Sequence, residues 1–165
     1  MNVMRKQIKN LFSNYQATMG HGLWFSGYEN EGEFKEWWEN GNLCVQLFCK
    51  GGKQNGECKK WDDNGQLWLH CFYKDGIKDG EYKRWENGKP AEQCFYKDGK
   101  RDGEYKSWYK NCQPKEQSFY KDEKKCGEYK EWYKNGELKE HCFYRNGIKY
   151  TIENARKLFQ EGPWL

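Results

Sequence analysis

GEYKEWYKNGELKEHCFYRNGIKY, residues 127–150, is the stretch of sequence that decides the fold, because the chain carries the same pattern five times. Successive copies begin 23 or 24 residues apart, at Gly32, Gly56, Gly80, Gly103 and Gly127. A fixed period of about 20–50 residues indicates a repeat architecture, in which each copy is one structural unit. The sequence therefore predicts a degenerate half repeat at 16–31 and five full repeats, at residues 32–55, 56–79, 80–102, 103–126 and 127–150.

The composition favours an ordered sheet over a disordered chain or a compact core. Hydrophobic residues make up 36% of the 165 residues and charged residues 33%, yet 18% are aromatic. Disordered segments are poor in aromatic residues, whereas Trp, Tyr and Phe fit the pleated surface of a strand. A thin, elongated sheet that buries aromatic side chains accounts for this composition.

The charge and the apolar pattern limit the partners and the compartment. The net charge is only +4, with Lys and Glu interleaved, which argues against a nucleic-acid groove. No stretch reaches the roughly 18 apolar residues of a membrane span. The first ten residues, MNVMRKQIKN, contain three basic residues and do not resemble a secretory signal. We therefore expect a cytoplasmic protein whose eight cysteines are free thiols.

Each repeat contains two turn signals, half a repeat apart. These dipeptides tolerate the positive φ angles of two-residue type I′ turns, which join neighbouring antiparallel strands. Two turns per repeat leave two strands per repeat. The predicted fold is therefore all-β, an elongated antiparallel meander of repeated β-hairpins with about eleven to twelve strands. The signals are Asn-Gly at 40–41, 64–65, 87–88 and 135–136, and Asp-Gly or Asn-Gly at 75–76, 98–99 and 146–147.

The register of the second repeat follows from its two turns. If its Asn-Gly pair forms a two-residue loop, Trp61 lies opposite Trp68, and the Asp-Gly loop likewise places Cys71 opposite Gly80. Both loops put Trp61 on one face and Cys71 on the other. Because a slip of one residue would exchange the faces, this agreement supports the meander.

Two repeats depart from this pattern. The third repeat is one residue shorter before its Asn87-Gly88 pair, so we expect a bulge or a three-residue loop there. The fourth repeat has Cys112 and Glu123 where the others have Gly, so both of its turns are expected to be irregular.

Helices are predicted at both ends of the sheet. Residues 1–15 place apolar side chains at helical spacing, and residues 151–165 form a short helix with Thr151 as its N-cap, followed by a tail. An open sheet has unpaired backbone groups at its edges, so both helices are expected to be caps.

The repeat resembles the MORN repeat, in its short bacterial and viral variant. The matching pattern is G-E-Y-K-x-W-x-x-N-G followed by a Phe-Tyr-Lys-Asp-Gly half, which is clearest in residues 103–126 and 127–150 and extends over 32–150. The resemblance implies an antiparallel sheet of successive hairpins and a role as a protein-interaction scaffold. Some family members are reported to bind acidic phospholipids, one bacterial branch is antitoxin-like, and similar proteins are common in AT-rich giant viruses. The family pattern carries no catalytic motif.

Two aromatic columns form the first candidate site. Every repeat has a Trp at its sixth position and a Phe in its second half, and both columns are predicted to interdigitate on one face. The simpler interpretation is that these aromatic residues form the core of the sheet. The more specific interpretation is that they form a groove that binds a partner protein. Glu and Lys on the same face suit a partner with charges of both signs and are poor for phosphate. The candidate residues are Trp37, Trp61, Trp85, Trp108, Trp132, Phe72, Phe95, Phe119 and Phe143, with Phe48 in the same column.

Basic residues beside the second turn are the alternative site. Lys74, Lys97, Lys121 and Arg145 would attach the protein to an anionic membrane, although each is followed by an acidic or polar residue. Self-association through an aromatic face too large to remain wet is a further alternative.

Metal and catalytic sites are not expected. Adjacent strand residues such as His70 and Cys71 point to opposite faces, which disfavours a zinc site. No nucleophile motif or phosphate loop is present, so neither a cofactor nor an enzymatic activity is predicted. The sequence thus predicts a non-enzymatic scaffold for an unidentified protein partner, with membrane attachment or a homo-oligomer as alternatives.

Overall fold

Twelve strands and one helix are present in the structure, a computed structural model that describes residues 31–159. The helix predicted for 1–15 and nearly all of the half repeat predicted for 16–31 lie outside this range. The elements are β1 (Gly32–Trp37), β2 (Leu43–Lys50), β3 (Lys53–Trp61), β4 (Leu67–Lys74), β5 (Ile77–Glu86), β6 (Lys89–Lys97), β7 (Lys100–Arg101), β8 (Gly103–Trp108), β9 (Pro114–Lys121), β10 (Lys124–Trp132), β11 (Leu138–Arg145), β12 (Ile148–Tyr150) and α1 (Ile152–Phe159).

All twelve strands of the described chain belong to one antiparallel sheet. Each strand pairs with the next one along the chain, except that β7 and β8 both pair with β6. These two short strands act as one strand interrupted at Asp102, whose backbone N–H donates to the carbonyl of Phe95 at 2.9 Å. The predicted antiparallel meander of hairpins is confirmed.

The core lies on one face of the sheet, here called the buried face. Buried side chains alternate with more exposed ones along each strand, as the two-residue period of a strand requires. Among the described side chains, no Trp or Phe is buried to the same degree. The buried strand residues are Leu47, Cys49, Gln54, Cys58, Leu69, Cys71, Cys94, Ser107, Ser118, Tyr120, Tyr129 and Cys142.

The prediction that the Trp and Phe columns form the core is therefore wrong. The core is on the opposite face because large and small side chains alternate there from strand to strand. Tyr82 pairs with Cys94, and Tyr105 pairs with Ser118. Cross-strand neighbours are only about 5 Å apart, so tyrosine rings can lean over the thiol or hydroxyl between them and exclude water. Burial accordingly raises the pKa of both Tyr82 and Cys94 to about 12.

Tyrosine pairs and stacked cations complete the buried face in the last three repeats. The rings of Tyr82 and Tyr96 meet edge to face, with 5.7 Å between their centroids. The ammonium of Lys78 lies 4.6 and 5.0 Å from these two centroids. An aromatic pair contributes about 0.5–1.5 kcal/mol beyond its buried area, and a cation over a ring about 0.5–2 kcal/mol. The same unit recurs as Tyr105, Tyr120 and Arg101, and as Tyr129, Tyr144 and Lys125.

Two-residue turns close the second half of each repeat, as predicted for 75–76, 98–99 and 146–147. Asp75 and Gly76 have φ angles of 50° and 84°, both positive as a type I′ turn requires. Lys74 pairs with Ile77 across this turn. Positive φ angles at both residues also occur at 51–52, 98–99, 122–123 and 146–147.

Both turns of the fourth repeat are regular, which contradicts the prediction. Glu123 takes the place of Gly with a φ of 67°, and Cys112 does so in the other loop with a φ of 65°. A left-handed residue other than Gly carries a strain of about 1–2 kcal/mol. At Glu123 this strain is offset by Arg101, whose backbone N–H donates to the Glu123 carboxylate at 2.5 Å and whose Nε donates at 3.0 Å.

Three-residue loops, not two-residue loops, close the first half of most repeats. In the second repeat the N–H of Asp62 donates to the carbonyl of Gln66 at 2.9 Å, and the N–H of Gly65 donates to the carbonyl of Asp62 at 3.0 Å. This is a type I turn followed by a left-handed Gly, so Asn64 keeps an ordinary negative φ. The loops at 38–42, 109–113 and 133–137 have the same pair of hydrogen bonds.

The longer loop changes the register next to the Trp column. Trp61 pairs with Leu67 and not with Trp68, because a bulge at this point gives β4 one extra residue. The two-residue loop occurs instead in the third repeat, at Asn87-Gly88, where the φ angles are 51° and 72°. The sequence predicted the reverse, with the longer loop in the third repeat. That repeat is one residue shorter because its loop has two residues instead of three.

A second bulge lies at the Gly that begins the second, third, fourth and fifth repeats. Cys71 pairs with Tyr82, two residues beyond the predicted Gly80, because β5 has two extra residues opposite Phe72. Gly80 has a φ of 114°, and a Cβ added to it would lie 3.1 Å from the Cβ of Phe72. Since the shift is two residues, the side chains stay on the predicted faces.

The helix α1 begins at the predicted N-cap. The Thr151 hydroxyl accepts a hydrogen bond from the N–H of Asn154 at 3.2 Å. The Thr151 carbonyl accepts one from the N–H of Ala155 at 2.9 Å. Ala155 is fully buried, and α1 packs against β11 at the C-terminal end of the sheet.

Candidate functional site

The side of the sheet opposite the buried face carries the Trp and Phe columns and is here called the aromatic face. Trp37 is 60% exposed, Phe95 40% and Phe119 37%. The others are half-buried: Phe48, Trp61, Phe72, Trp85, Trp108, Trp132 and Phe143. Rings with this exposure are accessible to a partner and are held in place by the strands that carry them.

A charged row separates the two aromatic columns. On β3, Glu57 lies opposite Phe72, Lys59 lies opposite His70, and Trp61 is two residues farther along. At about 3.3 Å per residue, the four residues from Glu57 to Trp61 place the columns about 13 Å apart. Within one column, equivalent residues are two strands apart, or about 9.6 Å. The columns share a face as predicted, but they do not interdigitate.

Each repeat contains the same hydrogen-bonded group between its Trp and its Phe. In the second repeat Glu57 accepts a hydrogen bond from Lys59 at 2.8 Å and is 2.8 Å from His70 Nε2. In the third repeat Lys83 and Gln93 occupy the same positions around Glu81, at 2.9 and 3.2 Å. The other carboxylates of this kind are Glu33, Glu104 and Glu128, each paired with a Lys of its own strand and a Gln or His of the next.

These groups make the charged row locally neutral. The hydrogen bond from Lys59 holds the pKa of Glu57 below its ordinary value, with a further contribution from His70. The hydrogen bond from Lys130 does the same for Glu128. The carboxylates therefore remain charged and paired with their lysines, so the polar row between the two aromatic columns has no dominant sign of charge.

The predicted basic residues lie in one row at the two-residue turns, here called the turn row. Lys50, Lys74, Lys97, Lys121 and Arg145 are all exposed. Lys121 forms an ion pair with Asp102 at 3.0 Å, and this hydrogen bond raises the pKa of Lys121. Acidic turn residues such as Asp75 and Asp98 are interspersed, so the turn row is only weakly basic.

The cysteines and histidines do not converge. His70 contacts Glu57 on the aromatic face, whereas its neighbour Cys71 is buried on the other face. Within residues 31–159, no three His, Cys, Asp or Glu side chains are placed to hold one metal ion. No helix in that range is long and apolar enough to cross a membrane.

Sequence reasoning missed the Gln and His residues that complete the carboxylate groups. They were detectable, because each stands two residues before the Phe of its repeat and therefore on the same face. The set is Gln46, His70, Gln93, Gln117 and His141. The tyrosine pairs with their stacked cations were missed as well, although the cation always stands four residues before the first Tyr, as Lys78 does before Tyr82.

Comparison with known families bears on this site. Five segments match the family model described as the MORN repeat variant, at residues 30–48, 54–75, 78–98, 101–122 and 125–146. They cover more than half of the 165 residues. A comparison with curated protein sequences gave no match. MORN repeats are a non-catalytic repeat type and are generally associated with protein or membrane interaction. With five consecutive matches on a meander of repeated hairpins, the chain belongs to the MORN repeat family.

Proposed function

We propose that this protein is a non-enzymatic scaffold that binds another protein through its aromatic face. The observation that carries the proposal is the position of the core. Because the buried face is filled by Tyr, Cys and Leu, the Trp and Phe columns are not needed to close the fold and remain partly exposed. Trp, Tyr and Phe are the residue types enriched at the centres of protein interfaces.

The charged row supports a protein partner more than an anionic one. Each Glu of the row is matched by a Lys, so the row neither attracts nor repels one sign of charge. Exposed ion pairs of this kind contribute about 0.2–1 kcal/mol each, so the Trp and Phe columns dominate the affinity for a partner. Binding through such a face persists in moderate salt, because it does not depend on long-range attraction.

Affinity capture with three matched baits tests this proposal. The first is the unaltered protein, the second carries Trp37→Ser, Phe95→Ser and Phe119→Ser, and the third carries Lys74→Ala, Lys97→Ala and Lys121→Ala. We chose the three most exposed aromatic residues of the columns because their replacement perturbs folding least. A partner captured by the first and third baits should bind the second more than about tenfold more weakly. A partner that is lost with the third bait and kept with the second would contradict the proposal.

Peripheral attachment to an anionic membrane is a second candidate function. The observation in its favour is that the turn row places its basic residues together and exposed at one border of the sheet. Sedimentation with vesicles that contain phosphatidylserine tests it, and binding should fall steeply between low and physiological salt. The Lys→Ala bait described above should lose this binding, whereas the aromatic bait should keep it.

Self-association is the remaining outcome. Light scattering of the purified, reduced protein measures its molar mass in solution. A dimer that the aromatic replacements convert to a monomer would show that the aromatic face binds a second copy of this chain. A monomer in both cases leaves the face open for a different protein.

A further inference from the structure

Cys58 and Cys71 face each other directly across strands β3 and β4. Directly opposed residues of an antiparallel pair point to the same face, with Cα atoms about 4.5 or 5.5 Å apart. A disulfide requires a Cα separation of about 4.4–6.8 Å. The Cβ atoms of opposed residues are about 4.5–5.5 Å apart, compared with about 3.5–4.5 Å in a disulfide, so an S–S bond requires the two strands to draw together by on the order of 1 Å.

We propose that Cys58 and Cys71 are a redox site, at which a reversible disulfide clamps strand β3 to strand β4. Both thiols are free in the structure, and both side chains are 1% exposed on the buried face. Their pairing follows from the register, so it does not depend on a chance approach of two flexible side chains.

The second repeat differs from its neighbours at this position. The third repeat has Tyr82 opposite Cys94, and the fifth has Tyr129 opposite Cys142. In the part of the chain that the structure describes, Cys58 and Cys71 are the only two cysteines paired across strands. A Cys in place of the usual aromatic residue at position 58 removes a large ring from the core and leaves a second thiol beside the first.

The ionisation of each thiol depends on the other. The hydrogen bond with the Cys58 thiol holds the pKa of Cys71 below its ordinary value, with a smaller contribution from Lys78. The same hydrogen bond and burial raise the pKa of Cys58. Ionisation of one thiol disfavours ionisation of its neighbour, so one thiolate attacks and the other thiol resolves the intermediate; when Cys71 attacks, Cys58 resolves.

The reaction is a thiol–disulfide exchange with a low-molecular-weight disulfide such as oxidised glutathione. Cys71 releases its proton, and its thiolate attacks one glutathione sulfur. The S–S bond of glutathione breaks, which leaves a mixed disulfide on Cys71 and one glutathione thiolate. Cys58 then loses its proton and attacks the Cys71 sulfur, which expels the second glutathione thiolate. Two electrons pass from the protein to glutathione, and the two protons released end on the glutathione thiols.

Mass spectrometry after incubation with oxidised glutathione tests the proposal. The treated protein is acid-quenched, alkylated and digested with trypsin without reduction. We expect peptides 54–59 and 61–74 to be joined through Cys58 and Cys71, and dithiothreitol to separate them. The reaction should be slower than glutathionylation of the exposed Cys112, because the buried pair reacts only when the sheet opens locally. If Cys112 carries glutathione while both buried cysteines remain free thiols, the proposal is overturned.

Two variants test the mixed-disulfide intermediate. In Cys58→Ser and in Cys71→Ser the remaining thiol has no resolving partner, so a mixed disulfide with glutathione should accumulate on it. Ser is compatible with this row of the buried face, since Ser118 already occupies it, and circular dichroism verifies folding. A remaining thiol that stays unmodified in both variants would refute this exchange route. The oxidised unaltered protein should melt roughly 5–10 °C higher than the reduced one, because the bond closes a short loop. An unchanged Tm would show that the bond does not clamp the strands.

Discussion

Replacing the Gly that begins a repeat by Ala should destabilise the protein by an amount that depends on the Phe of the preceding strand. An added Cβ at Gly80 would lie 3.1 Å from the Cβ of Phe72. At Gly127 the corresponding distance, to the Cβ of Phe119, is 3.9 Å, which is ordinary van der Waals contact. The backbone differs as well, because φ is 114° at Gly80 and 72° at Gly127.

The size of each effect follows from these two differences. Ala in the left-handed region at Gly127 loses about 1–2 kcal/mol. At Gly80 a φ of 114° lies outside that region, and the strain is about 1–3 kcal/mol. The close approach to Phe72 adds an overpacking term of about 1–3 kcal/mol. We therefore expect Gly80→Ala to lower the free energy of unfolding by about 2–6 kcal/mol and Gly127→Ala by about 1–2 kcal/mol.

Urea unfolding followed by Trp fluorescence measures both changes, since every full repeat contains a Trp. Gly103→Ala supplies a third point, because its φ is 122° and its Cβ would lie 3.3 Å from the Cβ of Phe95. Gly80→Ala and Gly103→Ala should both be more destabilising than Gly127→Ala. If Gly127→Ala is as destabilising as Gly80→Ala, the contact with the preceding Phe does not contribute and the reasoning is refuted.

Three further predictions concern single side chains. Lys78→Ala should lower the free energy of unfolding by about 0.5–2 kcal/mol through loss of the stacked cation. The control variant at the exposed Lys74, Lys74→Ala, should change that free energy by less than about 0.5 kcal/mol. Equal effects of the two variants in thermal melts would count against the stacking. Asn87→Ala should destabilise the protein by about 1–2 kcal/mol because φ at this residue is positive. Asn64→Ala should be nearly neutral, because Asn64 has a negative φ. A lower Tm for Asn64→Ala than for Asn87→Ala would contradict this prediction. Glu57 has a folded-state pKa below its ordinary value, so its contribution to stability is present above that ordinary value and is lost as the pH falls through the lowered one. The Tm should therefore drop between about pH 5 and pH 3, and Glu57→Gln should make that drop smaller; an unchanged drop would exclude Glu57 as a contributor.

The alternation of side chains and the turn dipeptides were sufficient to predict the meander. Asp75-Gly76 illustrates why, because positive φ at two successive residues is a local requirement that few dipeptides meet. Asn64-Gly65 satisfies the same rule and nevertheless forms part of a three-residue loop. There the carboxylate of Asp62 accepts hydrogen bonds from the N–H groups of Asn64 and Gln66, which stabilises the longer turn. A rule that considers only the two residues of the turn does not include this contribution of Asp62.

The buried face could not be chosen from side-chain size. The pattern correctly separates Trp61 from Cys71, but it assigns the core to the face with the larger rings. Burial depends on complementarity across strands, as between Tyr82 and Cys94, and this becomes visible only when the register is known. The bulge at Gly80 conceals this complementarity, because it places Tyr82 instead of Gly80 opposite Cys71, and a shift of two residues leaves the alternation unchanged.

The pairing of strands only with their neighbours along the chain has a consequence for how such a molecule changes over evolutionary time. Duplication of one internal copy, such as residues 103–126, inserts two strands whose borders match those already present. The sheet grows by about 9.6 Å, and each aromatic column gains one ring. The helix α1 keeps its contacts with β11, because the last copy is untouched. The length of the sheet is thus set by the number of copies in the gene, and it can change in equal steps without redesign of the C-terminal end.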